Sequence, residues 1–417
     1  MQQYRVEARF LAFLAALLFS FPAVLASEQS DFPRDSKWRN ARITIALSRS
    51  LRTGGNIQGD IDETVKRSLF AWSAPTTLRF TLIESDLDSI SPKGSRGDGI
   101  SLLTTATTPE NMKLFPRQTA SPAAVTRVFR DPFGSITEAD IVLNPFVRFS
   151  ADGSFATFDL QDTITHEVGH LLGLDHSPSW SSIMFERASK SSGPALYKGS
   201  RDELGQVDSS SIKGLYGPRL DEVRCCGAVM GRVSEGSSET PVPVWVEEAG
   251  TGRVIGAAFS DKGGRYRLEG IPEGDFVLFA SAERGSDDFA SESSKLVVAV
   301  AETTKKNFDL RPVRSGFRVR LLGTSVHLGA FPVDIRSLSQ GLFLGVEGSP
   351  ELITRVAISG SEVEFEPGSV NTPSFSSVKL VGYVPRALAD LPKGDYTLVI
   401  TSSSGVKQYL VGSVVNR

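Results

Sequence analysis

The chain has 417 residues, which at roughly 100–200 residues per domain predicts two to four domains. Hydrophobic residues make up 40% and charged residues 22%, enough apolar content for a core in each domain, so wholesale disorder is excluded. Lys+Arg (45) nearly balance Asp+Glu (48), and the net charge of -3 offers no general attraction to nucleic acid or to an anionic membrane.

The chain opens with Arg5 and Arg9, an apolar run over 10–19, Pro22 and Val24-Leu25-Ala26. A positive flank, a short apolar run and small residues before a cut predict a secretory signal over 1–26, hence a secreted, extracellular or cell-surface protein. An uncleaved anchor is the alternative. The run is short for a bilayer core of roughly 30 Å, and no other stretch reaches spanning length, so stable membrane insertion is not expected.

After a short segment over 27–37, residues 38–217 read as one α+β unit. Residues 43–47 alternate as a strand. Asp60 or Asp62 caps a helix whose Ile61, Val65, Leu69 and Trp72 share one stripe. Leu78, Phe80 and Leu82 alternate as the next strand, and a Gly-, Ser- and Lys-bearing loop over 91–99 follows. Its Arg96-Gly97-Asp98 matches an integrin-binding tripeptide, but a surface turn explains so short a match. Residues 125–129 and 139–143 predict two further strands, 159–172 a helix, and Asp208 the cap of a last helix that Gly217-Pro218 stops.

Beyond 217 helical periodicity fades. A linker over 218–228 carries the only two cysteines, Cys225 and Cys226, and adjacency excludes a disulfide framework. A bond between neighbours, a bridge to a second chain and two free thiols stay open; no redox role is expected. Short β-type runs between turn signals then predict two all-β sandwiches, over 229–312 and 313–417.

Three of the four histidines fall in His166-Glu167-Val168-Gly169-His170-Leu171-Leu172-Gly173-Leu174-Asp175-His176. On a helix His166 and His170 lie one turn apart on one side, so both can bind one Zn²⁺. Gly173 lets the chain leave the helix and return His176 as a third ligand. Three protein ligands leave a fourth position for water, the arrangement of a catalytic site, and Glu167 can act there as general base. A purely structural zinc is the alternative, and Glu167 argues against it.

This array resembles the metzincin signature H-E-x-x-H-x-x-G-x-x-H. The run from His170 to Ser177 is similar to the matrixin branch, and Met184 in Ser182-Ile183-Met184-Phe185 stands where that family has its Met-turn. Residues 38–47, 139–143 and 211–217 are similar to the family's first strand, the strand bordering its substrate cleft and the end of its last helix. The resemblance implies a metzincin-type zinc-peptidase fold over 38–217 and a zinc endopeptidase acting on protein or peptide substrates, with His166, His170 and His176 as ligands and Glu167 as catalytic base. Two departures stand out: both cysteines follow the peptidase unit, so a cysteine-switch latency is not expected, and the histidines for a second, structural zinc are missing. Calcium could substitute as a stabiliser, with Asp140, Asp152 and Asp159 as conceivable ligands.

Residues 229–310 resemble a carboxypeptidase regulatory-like or transthyretin-like sandwich, and the last hundred residues an Ig-like one. Such modules serve as spacers or as contacts to surfaces and polymers; fold alone does not choose between these. The competing reading of the whole chain is a secreted surface or adhesion protein whose metzincin-like domain binds zinc but is inert.

Overall fold

The computed structural model describes residues 23–24, 36–115, 122–188, 203–222, 225–234, 240–284, 288–311, 313–324, 327–329, 332–368, 378–386 and 391–417. Apart from 23–24, the predicted signal lies outside the described residues, as does 27–35 of the short segment after it. No helix among the described residues is long and apolar enough to cross a membrane.

One compact unit comprises the described residues up to Asp175, without 75–77, together with the described residues of 186–203. Its strands are β1 (Arg42–Ser48), β2 (Arg79–Ser85), β3 (Ser101–Thr104), β4 (Ala124–Arg130) and β5 (Ile136–Leu143). They form one sheet in the order β2-β1-β3-β5-β4, parallel except for β4 against β5. The unit also holds helices α1 (Ile61–Ser73) and α2 (Leu160–Leu171), two short helices at Ser50–Thr53 and Pro109–Met112, and a small sheet of Ile57–Gln58, Phe149–Ser150 and Phe158–Asp159. Asp60 caps α1 by accepting from the Glu63 N–H, and the expected stripe of Ile61, Val65, Leu69 and Trp72 is buried. The Trp72 indole donates to the Thr165 carbonyl at 2.8 Å and so ties α1 to α2.

The sheet order corrects one expectation. Residues 139–143 do not border a cleft: β5 pairs with β3 through Leu103↔Ile141 and with β4 through Val125↔Val142, so both its edges are used. Its last six residues are all buried, Glu138 and Asp140 among them, as suits a strand paired at both edges. The sheet ends instead at β4, which among the described residues pairs only with β5.

The second compact unit comprises His176–Phe185 and the described residues of 204–417, with 75–77. Helix α3 (Gln206–Tyr216) starts after Gly205, not at Asp208, and Gly217 ends it as expected. It packs on β8 (Val254–Phe259) and β9 (Arg265–Ile271). The first β module consists of two sheets. One holds β6 (Gly227–Ser234), β9, Thr303–Lys305 and Phe308–Asp309; the other holds β7 (Pro243–Glu248), β8, β10 (Gly274–Arg284), β11 (Asp288–Val298) and Val313–Arg314. Val229 and Leu268 from the first sheet meet Val244, Val246 and Leu278 from the second in one core, the sandwich pattern expected.

The last module differs from the two separate sheets expected of an Ig-like sandwich. Among the described residues nine strands lie on one hydrogen-bonded path, and residues from along it, among them Phe317, Leu344, Leu398 and Val414, share a single core. A further apolar cluster joins α3 to both modules: Val207 packs with Trp245, Val254 and Phe279 of the first module and Val411 of the second. Cys225 and Cys226 are bonded to each other.

Candidate metal centre

Helix α2 owes its position to its sequence. Asp159 caps it by accepting from the Asp162 N–H, and Ile164, Val168, Leu171 and Leu172 bury its apolar side. That burial leaves His166 and His170 one turn apart with ring centroids 4.7 Å from each other, edge to face. Their Nε2 atoms are 3.0 Å apart. His170 Nδ1 lies 2.9 Å from the Leu174 carbonyl, and since a carbonyl only accepts, Nδ1 carries the proton and Nε2 keeps its lone pair. Burial lowers the His170 pKa, so the ring is held neutral, the form a metal needs.

The turn after α2 forms as its glycine requires. Gly173 has φ +97°, and a Cβ there would stand 2.1 Å from the Ser36 carbonyl oxygen, so no other residue fits. His166, His170 and His176 then each offer a ligand atom, all within 4.8 Å of one another. A tetrahedral ion with nitrogens at about 2.0–2.1 Å needs them about 3.3 Å apart, so the donor set and spacing fit zinc. Among the described residues this is the one group of three or more His, Cys, Asp or Glu placed to hold a metal.

Glu167 is buried. Its Oε2 accepts from the Thr126 hydroxyl at 2.5 Å, and the same hydroxyl lies 3.1 Å from the Glu167 carbonyl. Its Oε1 is buried and has no hydrogen-bond partner among the described residues. Burial pushes the carboxyl up to about 8, against the Thr126 bond; a cation held by the neighbouring histidines would favour the charged form. Thr126 is a contributor that sequence reasoning missed, because it comes from β4, 41 residues away.

The aspartates offered as calcium ligands do not gather into a site. Asp140 is buried and accepts from the Ser91 and Leu102 N–H groups at 2.9 Å each, Asp152 accepts from Ser154, and Asp159 caps α2. Burial pushes Asp140 up to about 7, with Glu138 and Asp98 adding repulsion. Arg96-Gly97-Asp98 sits in the irregular 91–99 loop, where Asp98 accepts from Ile100.

Met184 is 2% exposed, and its carbonyl accepts from the Ser177 N–H at 2.8 Å, one residue past the third histidine. Asp208, expected as a helix cap, serves instead to hold this turn: it accepts from the Ser182 hydroxyl at 2.5 Å and the Ile183 N–H at 2.9 Å. Burial pushes its carboxyl up to about 6 from 3.8. A folded-state pKa above the unfolded one means that the native protein binds the extra proton, so the contribution is complete below about 4 and is lost as pH rises through about 6. Denaturant titrations across that window should show stability falling by on the order of 3 kcal/mol from this group, and Asp208→Asn should flatten that slope.

Comparison with known proteins agrees with this geometry. The chain is 26% identical over 202 residues to metalloendoproteinase 1-MMP of Arabidopsis thaliana, covering 45% of this chain and 47% of that protein. It is 29% identical over 199 residues to 2-MMP of the same plant (45% and 44%) and 25% identical over 201 residues to human matrix metalloproteinase-20 (45% and 34%). The chain thus spans less than half the length of these relatives. Among solved structures, the minor pilin GBS52 of Streptococcus agalactiae matches at TM-score 0.18 with 15% identity, over 22% of this chain and 45% of that one. The fimbrial anchor protein Mfa2 of Porphyromonas gingivalis matches at TM-score 0.18 with 10% identity, over 45% and 83%. Likenesses this slight carry no argument about fold or role. Residues 125–217, which hold β5, α2, all but the first residue of β4, the three converging histidines and Met184, match the matrixin family, and with the relatives this supports a zinc metallopeptidase.

Proposed function

We propose that the chain is a secreted zinc-dependent endopeptidase that cleaves peptide bonds of extracellular proteins. The observation that carries the reading is the convergence of His166, His170 and His176, one ligand atom each within 4.8 Å. Secretion rests on the Arg5 and Arg9 flank, the apolar run and the small residues before 27.

His166, His170 and His176 would hold a zinc ion, which when bound would supply Lewis acidity at the reacting carbonyl and water near neutral pH. The chain's own residues do the rest. The Leu174 carbonyl fixes the His170 tautomer. The Thr126 hydroxyl holds Glu167 Oε2, which leaves Oε1 to take the proton of the attacking water and pass it to the leaving amine. The outer edge of β4 offers unused backbone groups to an extended substrate, which would add as a further strand.

The test is digestion of a peptide library by the mature protein. Cleavage should stop with a chelator and return with added zinc. A protein that binds zinc yet cuts nothing would support the inert surface-protein reading instead.

A further inference from the structure

We infer that the C-terminal β module is a working part of the metal centre, because its last strand positions the segment that carries the third histidine. This rests on the zinc-peptidase reading. His166 and His170 take their places from helix α2. His176 lies beyond the helix: it opens the stretch His176–Phe185, which contains no helix and no strand beyond a single Ser177↔Phe185 bridge. A stretch of that kind takes its shape from the groups it is bonded to.

Those groups lie in the last module. The Trp180 N–H donates to the Val411 carbonyl at 2.8 Å. The Trp180 side chain packs against the module's own core, the cluster of Phe317, Leu344, Leu398 and Val414. Gly412 has φ +62°, and a Cβ there would stand 2.1 Å from Ser179 Oγ and 2.7 Å from Ser181 Oγ, so strand backbone touches the segment directly. The Ser181 hydroxyl also bonds to Asp395, a buried carboxylate paired with Arg417 at 3.0 Å. Val411 and Gly412 belong to Lys407–Asn416, which is paired with Gly394–Ser402, so the support is a sheet and not a loose end. From the other side Asp208 on α3 grips Ser182 and Ile183. The segment is therefore clamped between α3 and the final strand, and Trp180 and Gly412 are positioning residues for His176.

The experiment uses the full chain and measures zinc affinity by competition with a chelating dye, beside kcat and KM on a peptide substrate. Trp180→Ala should weaken zinc binding by about tenfold or more, in the range set by lost supporting groups at metal sites, and lower kcat more than it raises KM. Trp180→Phe should restore most of the affinity. Gly412→Ala should act in the same direction by displacing Ser179. The control is Leu344→Ala, a cavity in the same core at a side chain that makes none of the segment's hydrogen bonds; it should lower Tm as much as Trp180→Ala does while zinc affinity stays near the parent's. Parent-like zinc affinity in Trp180→Ala overturns the inference. So does an equal loss of zinc in Leu344→Ala, which would mean that only module stability matters. A parent chain that binds no zinc overturns the peptidase reading and the inference together.

Discussion

Glu167→Ala is expected to keep zinc at one equivalent and to lower kcat by about 10²- to 10⁴-fold, the usual share of a general acid–base group. The residue follows a ligand in sequence but is not one of the three that converge. Its Oε1 is buried with no partner among the described residues, so removing the carboxylate costs no hydrogen bond at that atom. Its Oε2 is held by Thr126. Thr126→Val should therefore move kcat in the same direction by less, about tenfold or more, since a hydrogen bond to a charged group is worth about 1.5–3 kcal/mol. Thr126→Ser, which keeps the hydroxyl, should stay close to the parent. Steady-state kinetics with zinc content measured on the same samples checks all three; Glu167→Ala cleaving at the parent rate would refute the role assigned to it.

His176→Ala should remove metal and activity together. Two imidazoles on α2 remain, and their Nε2 atoms at 3.0 Å still face each other, but two ligands do not close a zinc site. Loss of an outer-shell partner alone costs about 10–100-fold in metal affinity, and loss of a ligand should exceed about 100-fold. Equilibrium dialysis against zinc reads this directly. The two substitutions together form a diagnostic pair: metal kept and activity lost for Glu167→Ala, both lost for His176→Ala. A His176→Ala protein that still bound zinc tightly would mean that the third ligand comes from elsewhere in the chain.

How far the sequence revealed this arrangement depends on how local each feature is. The α2 histidines are an i, i+4 pair, and the apolar stripe, the Asp159 cap and Gly173 all act within a few residues, so they can be read directly. The same holds for α1, whose Asp60 cap and buried stripe are as expected. Strand order is a long-range property. Both β4 and β5 are rich in β-branched residues and carry two charged residues each, and nothing local says which of them ends the sheet; pairing of β5 with β3 across 38 residues decides it. Asp208 shows the same limit. Near a helix start, an aspartate reads as a cap, and only the packing of 182–184 against α3 turns it inward. Thr126 and Trp180 carried no motif at all, because their partners, Glu167 and Val411, are 41 and 231 residues distant. The last module also read as a two-sheet sandwich because short alternating runs look alike whether they lie on one continuous path or two.

X-ray absorption at the zinc edge of the full-length protein tests the core of this account most directly. One zinc per chain, surrounded only by nitrogen and oxygen at about 2.0–2.1 Å with three imidazoles and one non-protein ligand, is the spectrum the structure predicts. A scattering shell from sulfur at about 2.3 Å, a fourth imidazole, or a protein that takes up no zinc would contradict it.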